Sequence, residues 1–596
     1  MTRQESVQPE IRSYRRRYLK IPLDPKSNPG FFGQLGPAQN PYLFSFFLTL
    51  VLLGFQLFFF RPFFEVNDET FKIFFTKGVG SDLVPNEFVG YSNILLGCFL
   101  KTAYNFATLV PWYGLVLLSA QFLGVWLFIA ALSLRPAFLF KTILFLAGAL
   151  GTLFILFHSL QFTIASSLAT QGSLFLLVTL LESEDRKGKG WGLFLSCSAL
   201  VFASLIRLDA LLFTLVCALP FLAVFIRKNG KRLGERRINV PILVTAALIL
   251  IGALFNHYWY ERDPGWKAFN RFDHERVEFQ DYRIHAYDPT TQPFFDAAKW
   301  SENDFEMFKD WYFMDSDKYD WANIDRLKRH FPRMGLRGKP SSYHSLVDIF
   351  FDPNFGGMSL VLILCLFLFC PSKRIPLYVT NFAWVTLFFL YLLYFWRAPE
   401  RVVHPGLAYL VSLGIFLAEP PQELFRSSGR TIRQWKTAIG ILFLAIALLS
   451  CLPRLGIFHK ANQDQVLKET ELKSQLARLN PNDDQLFVVW DSSFPYELFD
   501  ALDDFETFRH FHIFTLAVYQ RCPNAQRLLE HFRLKNLFMD MVDRPDVFLI
   551  CSEDEVKRYW IYMMENHHLR TRLPLVFSCN LFNVYRVVSA DSKAKK

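Results

Sequence analysis

Residues 41–60 read PYLFSFFLTLVLLGFQLFFF, an apolar run without a single charged side chain. A helix rising 1.5 Å per residue needs roughly 20 such residues to cross the hydrocarbon core of a bilayer. Residues 238–259 form a second long run of the same kind. Of the 596 residues, 52% are hydrophobic, 17% aromatic and only 20% charged, which points away from a soluble enzyme and towards a multi-pass membrane protein. Upstream of the first run lies a basic arm with Arg12, Arg15, Arg16, Arg17 and Lys20; no small-residue cleavage site follows the run, so it is expected to stay as a membrane anchor.

Further apolar runs predict spans near 109–132, 139–157, 164–181, 191–207, 209–226, 240–258, 356–370, 377–395, 404–418 and 437–452, about eleven in all with the first at 42–60. The net charge of +10 sits mainly in alternate links: Arg135; Arg186, Lys187 and Lys189; Arg227 through Arg237; Lys373 and Arg374; Arg426 through Lys436. That is the pattern of cytoplasmic links, and it accounts for the basic balance without nucleic acid. The expected layout is a cytoplasmic arm at 1–40, a transmembrane domain at 41–455 and a soluble domain at 460–596. External loops at 61–108 and 259–355, with a short link at 396–403, share the non-cytoplasmic side with the C-terminus.

The last region has the composition of a small α/β domain. Residues 485–490 and 547–551 read as buried strands, and 574–579 with 581–588 as a terminal pair. Ser552 and Glu555 form a capping-box pattern that starts a helix. This region has no glycine-rich phosphate loop and no nucleophile elbow, so its expected role is structural or acceptor-binding. Its three cysteines, Cys522, Cys551 and Cys579, allow one bridge at most and lack metal-type spacing.

Two clusters carry candidate chemistry. Directly after the first span, Phe64-Glu65-Val66-Asn67-Asp68-Glu69-Thr70-Phe71 holds three carboxylates within five residues. They read either as a solvated turn that caps the next helix, or as a base that takes a proton from a hydroxyl or holds a divalent cation against a phosphate. Tyr394-Phe395-Trp396-Arg397-Ala398-Pro399-Glu400-Arg401-Val402-Val403-His404 places two arginines on the side where the topogenic bias disfavours them. Headgroups or Glu400 would compensate them; alternatively Arg397 and Arg401 clamp a phosphate, with His404 joining them or simply lying at the interface. Arg207 and Asp209 flank a predicted reversal, where they pair with each other or line a cavity. Residues 300–315 mix Asp304 and other acids with Trp311 and other aromatics, which suits an acceptor groove or a helix in the headgroup layer.

A first helix, an acidic motif in a large first external loop, many further spans and a soluble C-terminal domain on the same side together resemble the GT-C membrane glycosyltransferases. Pro85-Asn86-Glu87-Phe88 through Leu100-Lys101 resembles the juxtamembrane helix of that loop. The segment Ser204-Leu205-Ile206-Arg207-Leu208-Asp209-Ala210-Leu211-Leu212 resembles the R-P-E-A-L-L segment of bacterial members, with Leu208-Asp209 in place of Pro-Glu. The resemblance covers roughly 40 to 455. It implies a polyprenyl-phosphate sugar as donor and a glycan, lipid or protein as acceptor. It also implies Asp68 as catalytic base, with Glu69 second, a magnesium or manganese ion at Asp68 as the one cofactor it allows, and phosphate-binding arginines late in the chain. The expected location is a bacterial inner membrane with the N-terminus cytoplasmic. A transporter or flippase for lipid-linked saccharides is the alternative; it would be expected to show repeated halves and helices broken near the midplane, and the sequence shows neither.

Overall fold

The computed structural model describes residues 40–65, 67–149, 159–183, 189–283, 286–334, 342–353, 355–420 and 430–590, with side chains between 430 and 452 described in part. The basic arm, most of the second half of the predicted 139–157 span, and the basic groups at 186–187 and 426 lie outside these residues. Six described helices are long and apolar enough to cross a membrane: Pro41–Phe59, Trp112–Ser133, Phe162–Glu182, Lys189–Cys217, Arg236–Arg262 and Ile375–Phe395. Phe138–Gly148, Gly356–Phe369 and Glu400–Leu417 supply shorter helices where three more spans are predicted. The chain is thus a helical, multi-pass membrane protein. Pro41–Phe59 and Arg236–Arg262 turn rows of apolar side chains outward, including Val51, Phe58, Leu250 and Ile251, as lipid-facing helices do.

Phe162–Glu182 is the central helix and is buried almost throughout, although it carries Ser166, Ser167, Thr170, Gln171 and Ser173. Small residues let a neighbour approach it closely. A Cβ on Gly172 would stand 2.0 Å from the Gly124 carbonyl oxygen, so the two backbones touch where they cross.

The helix Lys189–Cys217 contains a sharp break at Arg207, whose φ of −159° and ψ of 108° are extended rather than helical. Lys189 reaches the Ser183 carbonyl at one end of the central helix, and the Arg207 guanidinium lies 4.4 Å from the ring of Phe162 at the other. From there the chain continues into Leu219–Leu233, and Arg232 donates to the carbonyls of Leu181 and Glu182. The chain therefore climbs to Arg207 and returns, as the predicted pair 191–207 and 209–226 requires. The described basic links also share one face: Arg135 and Lys228 pair with Glu182, and Arg374 pairs with Glu419.

The polar regions gather on the opposite face. The helix expected to end near residue 452 runs unbroken from Arg430 to Leu479, so the expected boundary at 460 falls inside it. Asn462 grips the backbone of Arg61 through both its side-chain atoms, tying this helix to the end of the first span. Beyond it lies a five-stranded sheet of order β4-β3-β5-β7-β6, built from β3 (Leu486–Trp490), β4 (His512–Leu516), β5 (Val547–Ile550), β6 (Leu575–Ser578) and β7 (Asn583–Arg586). β3 pairs in parallel with β4 and β5, while β7 runs antiparallel to β5 and to β6. The capping box at Ser552 and Glu555 forms and starts the helix Glu553–His567. Strand β4 is not among the predicted strands. Cys522, Cys551 and Cys579 are all free thiols.

This sheet does not stand apart from the loops. Trp266, Trp300, Phe308 and Tyr312 of the long loop share one core with Trp490 and Phe538. Backbone hydrogen bonds join Gly80 to Phe508 and Ile513, and Ala501 to Pro62. The C-terminal region and both large loops thus form a single polar layer over the helical bundle.

Candidate active site

After the first span, β1 (Phe63–Phe64) pairs in parallel with β2 (Ser159–Leu160), which fixes where the acidic motif sits. The helix Asp68–Lys77 starts four residues beyond β1's end and places Asp68 and Glu69 in its first turn, where the helix dipole favours carboxylates. Asn67 makes no side-chain cap bond.

The two carboxylates then diverge in role. Glu69 has no solvent exposure: its Oε1 accepts from the Phe162 N–H at 3.0 Å, and Oε2 accepts from the Tyr113 hydroxyl and from Lys72 Nζ at 3.4 Å. Lys72 is equally buried, with its ammonium 3.0 Å from the centre of the Phe162 ring. Burial pushes the Glu69 carboxyl above its ordinary range and pulls the Lys72 ammonium down to about 8, each opposed by the other's charge. All the hydrogen bonds around Glu69 are to the scaffold. It anchors the first loop to the second and fourth predicted spans.

Asp68 is half-buried, and among the described residues no donor hydrogen-bonds to it and no cation ion-pairs with it. It lies within electrostatic reach of Lys72, Arg207, Tyr91 and Tyr519. Arg207 is held there by the break in its helix; its carbonyl accepts from Ser166 Oγ at 2.9 Å, and its guanidinium lies over Phe162 and 5.9 Å from the Tyr91 ring. Arg401, in the first turn of Glu400–Leu417, adds a second guanidinium whose charge acts on both Arg207 and Glu65. Neither arginine has a carboxylate within ion-pair distance among the described residues. Two guanidinium groups that repel one another, neither ion-paired among the described residues, have the chemistry to bind a phosphate.

Glu65 joins this group. Its Oε2 is buried without a hydrogen-bond partner among the described residues. Burial pushes its carboxyl up to about 7; Arg401 opposes the shift, while Glu400 and Glu69 add to it.

The other predicted residues lie as follows. Arg397 is ion-paired with Asp281 at 3.1 Å. His404 is buried, stacked on Phe355 at 4.3 Å and hydrogen-bonded to the Tyr343 hydroxyl at 2.9 Å. Asp209 is exposed at the rim of a cavity of about 340 Å³ that Tyr91, Asp273 and Tyr519 also line. Asp304 is fully buried, forms a capping box with Ser301, pairs with Lys318 and accepts from Asn566 at 3.3 Å. The Trp311 carbonyl accepts from Gln520 at 2.7 Å. Asp304 and Trp311 therefore lie where the long loop meets the C-terminal region, with the aromatics of 300–313 turned into the core rather than towards a groove or the headgroups. The structure gathers Asp68, Arg207 and Arg401 and leaves Arg397, Asp304 and Trp311 in other contacts.

The residues not singled out from sequence are Lys72, Tyr91, Tyr519 and, as a distinct titrating group, Glu65. Lys72 had a legible signal, since its spacing of three and four from Glu69 and Asp68 puts all three on one helix face. Tyr519 had none, being some 450 residues away in sequence. Among the described residues no group of three His, Cys, Asp or Glu side chains is arranged to hold a metal ion. The cations within electrostatic reach of Asp68 include those of Lys72 and Arg207, and Arg401 in turn acts on Arg207.

No protein-family model matches the chain, and no curated protein matches it. Two solved structures are similar to it. One is the crystal structure of ArnT from Cupriavidus metallidurans in the apo state, at 14% identity over 90% of this chain and 97% of that one, with a TM-score of 0.39. The other is the same protein bound to undecaprenyl phosphate, at 13% identity over 91% and 97% of the two chains, with a TM-score of 0.37.

Proposed function

We propose that this protein is a membrane glycosyltransferase of the GT-C type that moves a sugar from a polyprenyl-phosphate donor to a hydroxyl of an extracytoplasmic acceptor. The observation that carries this reading is the placement of Asp68, with no hydrogen-bond or ion-pair partner among the described residues, within electrostatic reach of the Arg207 guanidinium, on which Arg401 also acts. In the reaction, the acceptor oxygen attacks the anomeric carbon while Asp68 takes its proton. The bond from that carbon to the phosphate oxygen breaks, and the electron pair leaves with the polyprenyl phosphate. Attack from the side opposite the leaving group inverts the anomeric centre. Arg207 and Arg401 bind the phosphate in the ground state and bind it more strongly as the leaving oxygen gains charge, which is the differential that lowers the barrier. A half-buried carboxylate that takes no hydrogen bonds from the described residues has its oxygens open to the acceptor hydroxyl.

A lipid-borne donor suits this pocket, because the group lies at the end of the spans, on the face that carries the polar layer. That face would be periplasmic in a bacterial inner membrane, with the N-terminal arm cytoplasmic.

The test is a reconstitution of the purified chain in proteoliposomes with a polyprenyl-phosphate sugar labelled in the sugar and an extract of envelope lipids and glycans. Appearance of label in a new, phosphate-free glycoside supports transfer. Label that crosses the bilayer on its intact lipid, with no new glycoside, replaces this reading with a flippase.

A further inference from the structure

The cavity of about 340 Å³ next to Arg207 is bounded by four separate parts of the chain: the tight loop Gly90–Asn93, the residues Ser204, Leu208 and Asp209 that flank Arg207, the end of the span Arg236–Arg262 with the helix after it, and Tyr519 from the C-terminal region. Among the described residues two of its polar atoms are buried without a hydrogen-bond partner, the Tyr519 hydroxyl and Ser92 Oγ, and each residue is 4% exposed. Leaving a buried hydroxyl unpaired is costly, so two in one cavity point to a ligand that satisfies them.

The loop that presents Ser92 is rigid. Gly90 has a φ of +52°, its N–H donates to the Tyr260 hydroxyl at 3.1 Å, and a Cβ there would stand 2.4 Å from the Tyr519 hydroxyl oxygen. Tyr519 is packed between Phe75 and Phe269, with ring centroids 5.3 and 6.1 Å away. Its hydroxyl is thus placed by the scaffold rather than free to seek another partner.

The lining also indicates the chemical class. Trp266 and Phe269 supply flat apolar surface, Asn270 and Asp209 stand at the exposed side, and Asp273 is already neutralised by Arg276 at 2.6 Å. No unpaired lysine or arginine lines it. Carboxylate, amide and hydroxyl groups around aromatic faces suit the hydroxyls and ring face of a neutral sugar and disfavour a phosphate. A volume near 340 Å³ falls at the lower end of the roughly 300–1,000 Å³ of small-molecule sites.

We infer that this cavity is the acceptor subsite, that it takes a neutral polyhydroxylated ring, and that Tyr519 and Ser92 are the groups that hold the ring's hydroxyls beside Asp68. The assignment rests on the transferase reading above, and it gives the C-terminal region a direct part in substrate binding. Tyr519 and Ser92 act by binding and orienting the acceptor; Asp68 takes the proton.

The test is a binding measurement with no donor present. Saturation-transfer NMR on the full chain in amphipol would use methyl β-D-glucopyranoside and submicellar n-octyl β-D-glucopyranoside as probes, with n-octyl phosphate as the anionic control. Both glucosides are expected to bind if the ring alone is recognised, and only the octyl compound if the ring must arrive on an apolar tail. Tyr519→Phe and Ser92→Ala should each weaken glucoside binding about five- to tenfold, the effect of one lost hydrogen bond. Asn270→Trp, at an exposed position, should abolish binding by filling the cavity without disturbing the core. Glucoside binding that is absent from the parent chain, unchanged in all three variants, or displaced by n-octyl phosphate overturns the assignment. Because no donor is present, a failure of sugar transfer leaves this result intact, and the two readings fall separately.

Discussion

Replacing Glu69 by Gln should damage stability far more than chemistry, and the structure gives the size of the effect. The substitution removes the counter-charge of Lys72, whose ammonium has no solvent exposure. Stripping one partner from a buried ion pair costs about 3–5 kcal/mol, because the remaining charge is left uncompensated. Lys72 has a partial escape. Its ammonium already sits at about 8, so losing the proton at pH 7 costs about 1.4 kcal/mol, and less without Glu69 to hold it. Adding the weakened bonds to Tyr113 and Phe162 brings the expected loss to about 3 kcal/mol. Combining Glu69→Gln with Lys72→Met removes the stranded charge and should recover about 2 kcal/mol of that loss, since the pair's attraction and its desolvation largely cancel. The assay is heat-induced loss of soluble purified protein, read by size-exclusion chromatography, beside sugar transfer at a temperature where every variant is folded. The reasoning is refuted if Glu69→Gln melts with the parent but transfers nothing, for then Glu69 is a reacting group rather than an anchor.

Two further outcomes follow from the same group of residues. Glu65 holds its proton up to about 7 instead of its ordinary 4.5, so it is neutral beside the phosphate pocket in mildly acidic buffer and ionises as pH rises through 7. Affinity for a polyprenyl phosphate should therefore fall above pH 7, by at most about tenfold per pH unit, and Glu65→Gln should flatten the profile at the high-affinity level; affinity that rises with pH would contradict this. By linkage the same group contributes stability below about 4.5 that is lost as pH rises through 7, since the folded chain binds a proton that the unfolded chain has released. Arg401→Ala should weaken binding of the lipid phosphate about tenfold to a hundredfold, the worth of a charge-assisted contact, whereas Arg397→Ala should leave it within about threefold because Arg397 is engaged with Asp281. Equal effects at the two positions would remove the distinction drawn between them.

The membrane part of the fold was legible because a span needs length and apolarity and little else. The reversal at Arg207 was readable for the same reason, since a charged residue midway through a long apolar stretch marks a return to the surface. What sequence periodicity could not supply was the joining of the polar regions into one layer. Strand β4 is short and lies at the edge of the sheet, where Ile513 donates to the Gly80 carbonyl of the first external loop, far away in sequence. The acidic motif was visible, but its division of labour was not: Glu65, Asp68 and Glu69 look equivalent until Tyr113 and the Phe162 N–H are brought to Glu69 by the fold. Likewise Arg397 and Arg401 look alike in sequence, and only the nearness of Asp281 separates them.

The central claim is that Asp68 takes the acceptor's proton. The most direct measurement is the transfer rate of Asp68→Asn from a labelled polyprenyl-phosphate sugar, in proteoliposomes where the affinity for the lipid phosphate and the melting temperature are measured alongside. Asparagine keeps the shape and loses the basicity, so the account predicts a rate reduced by about a hundredfold or more with lipid affinity and melting temperature unchanged. Transfer at the parental rate by a properly folded Asp68→Asn protein would contradict it.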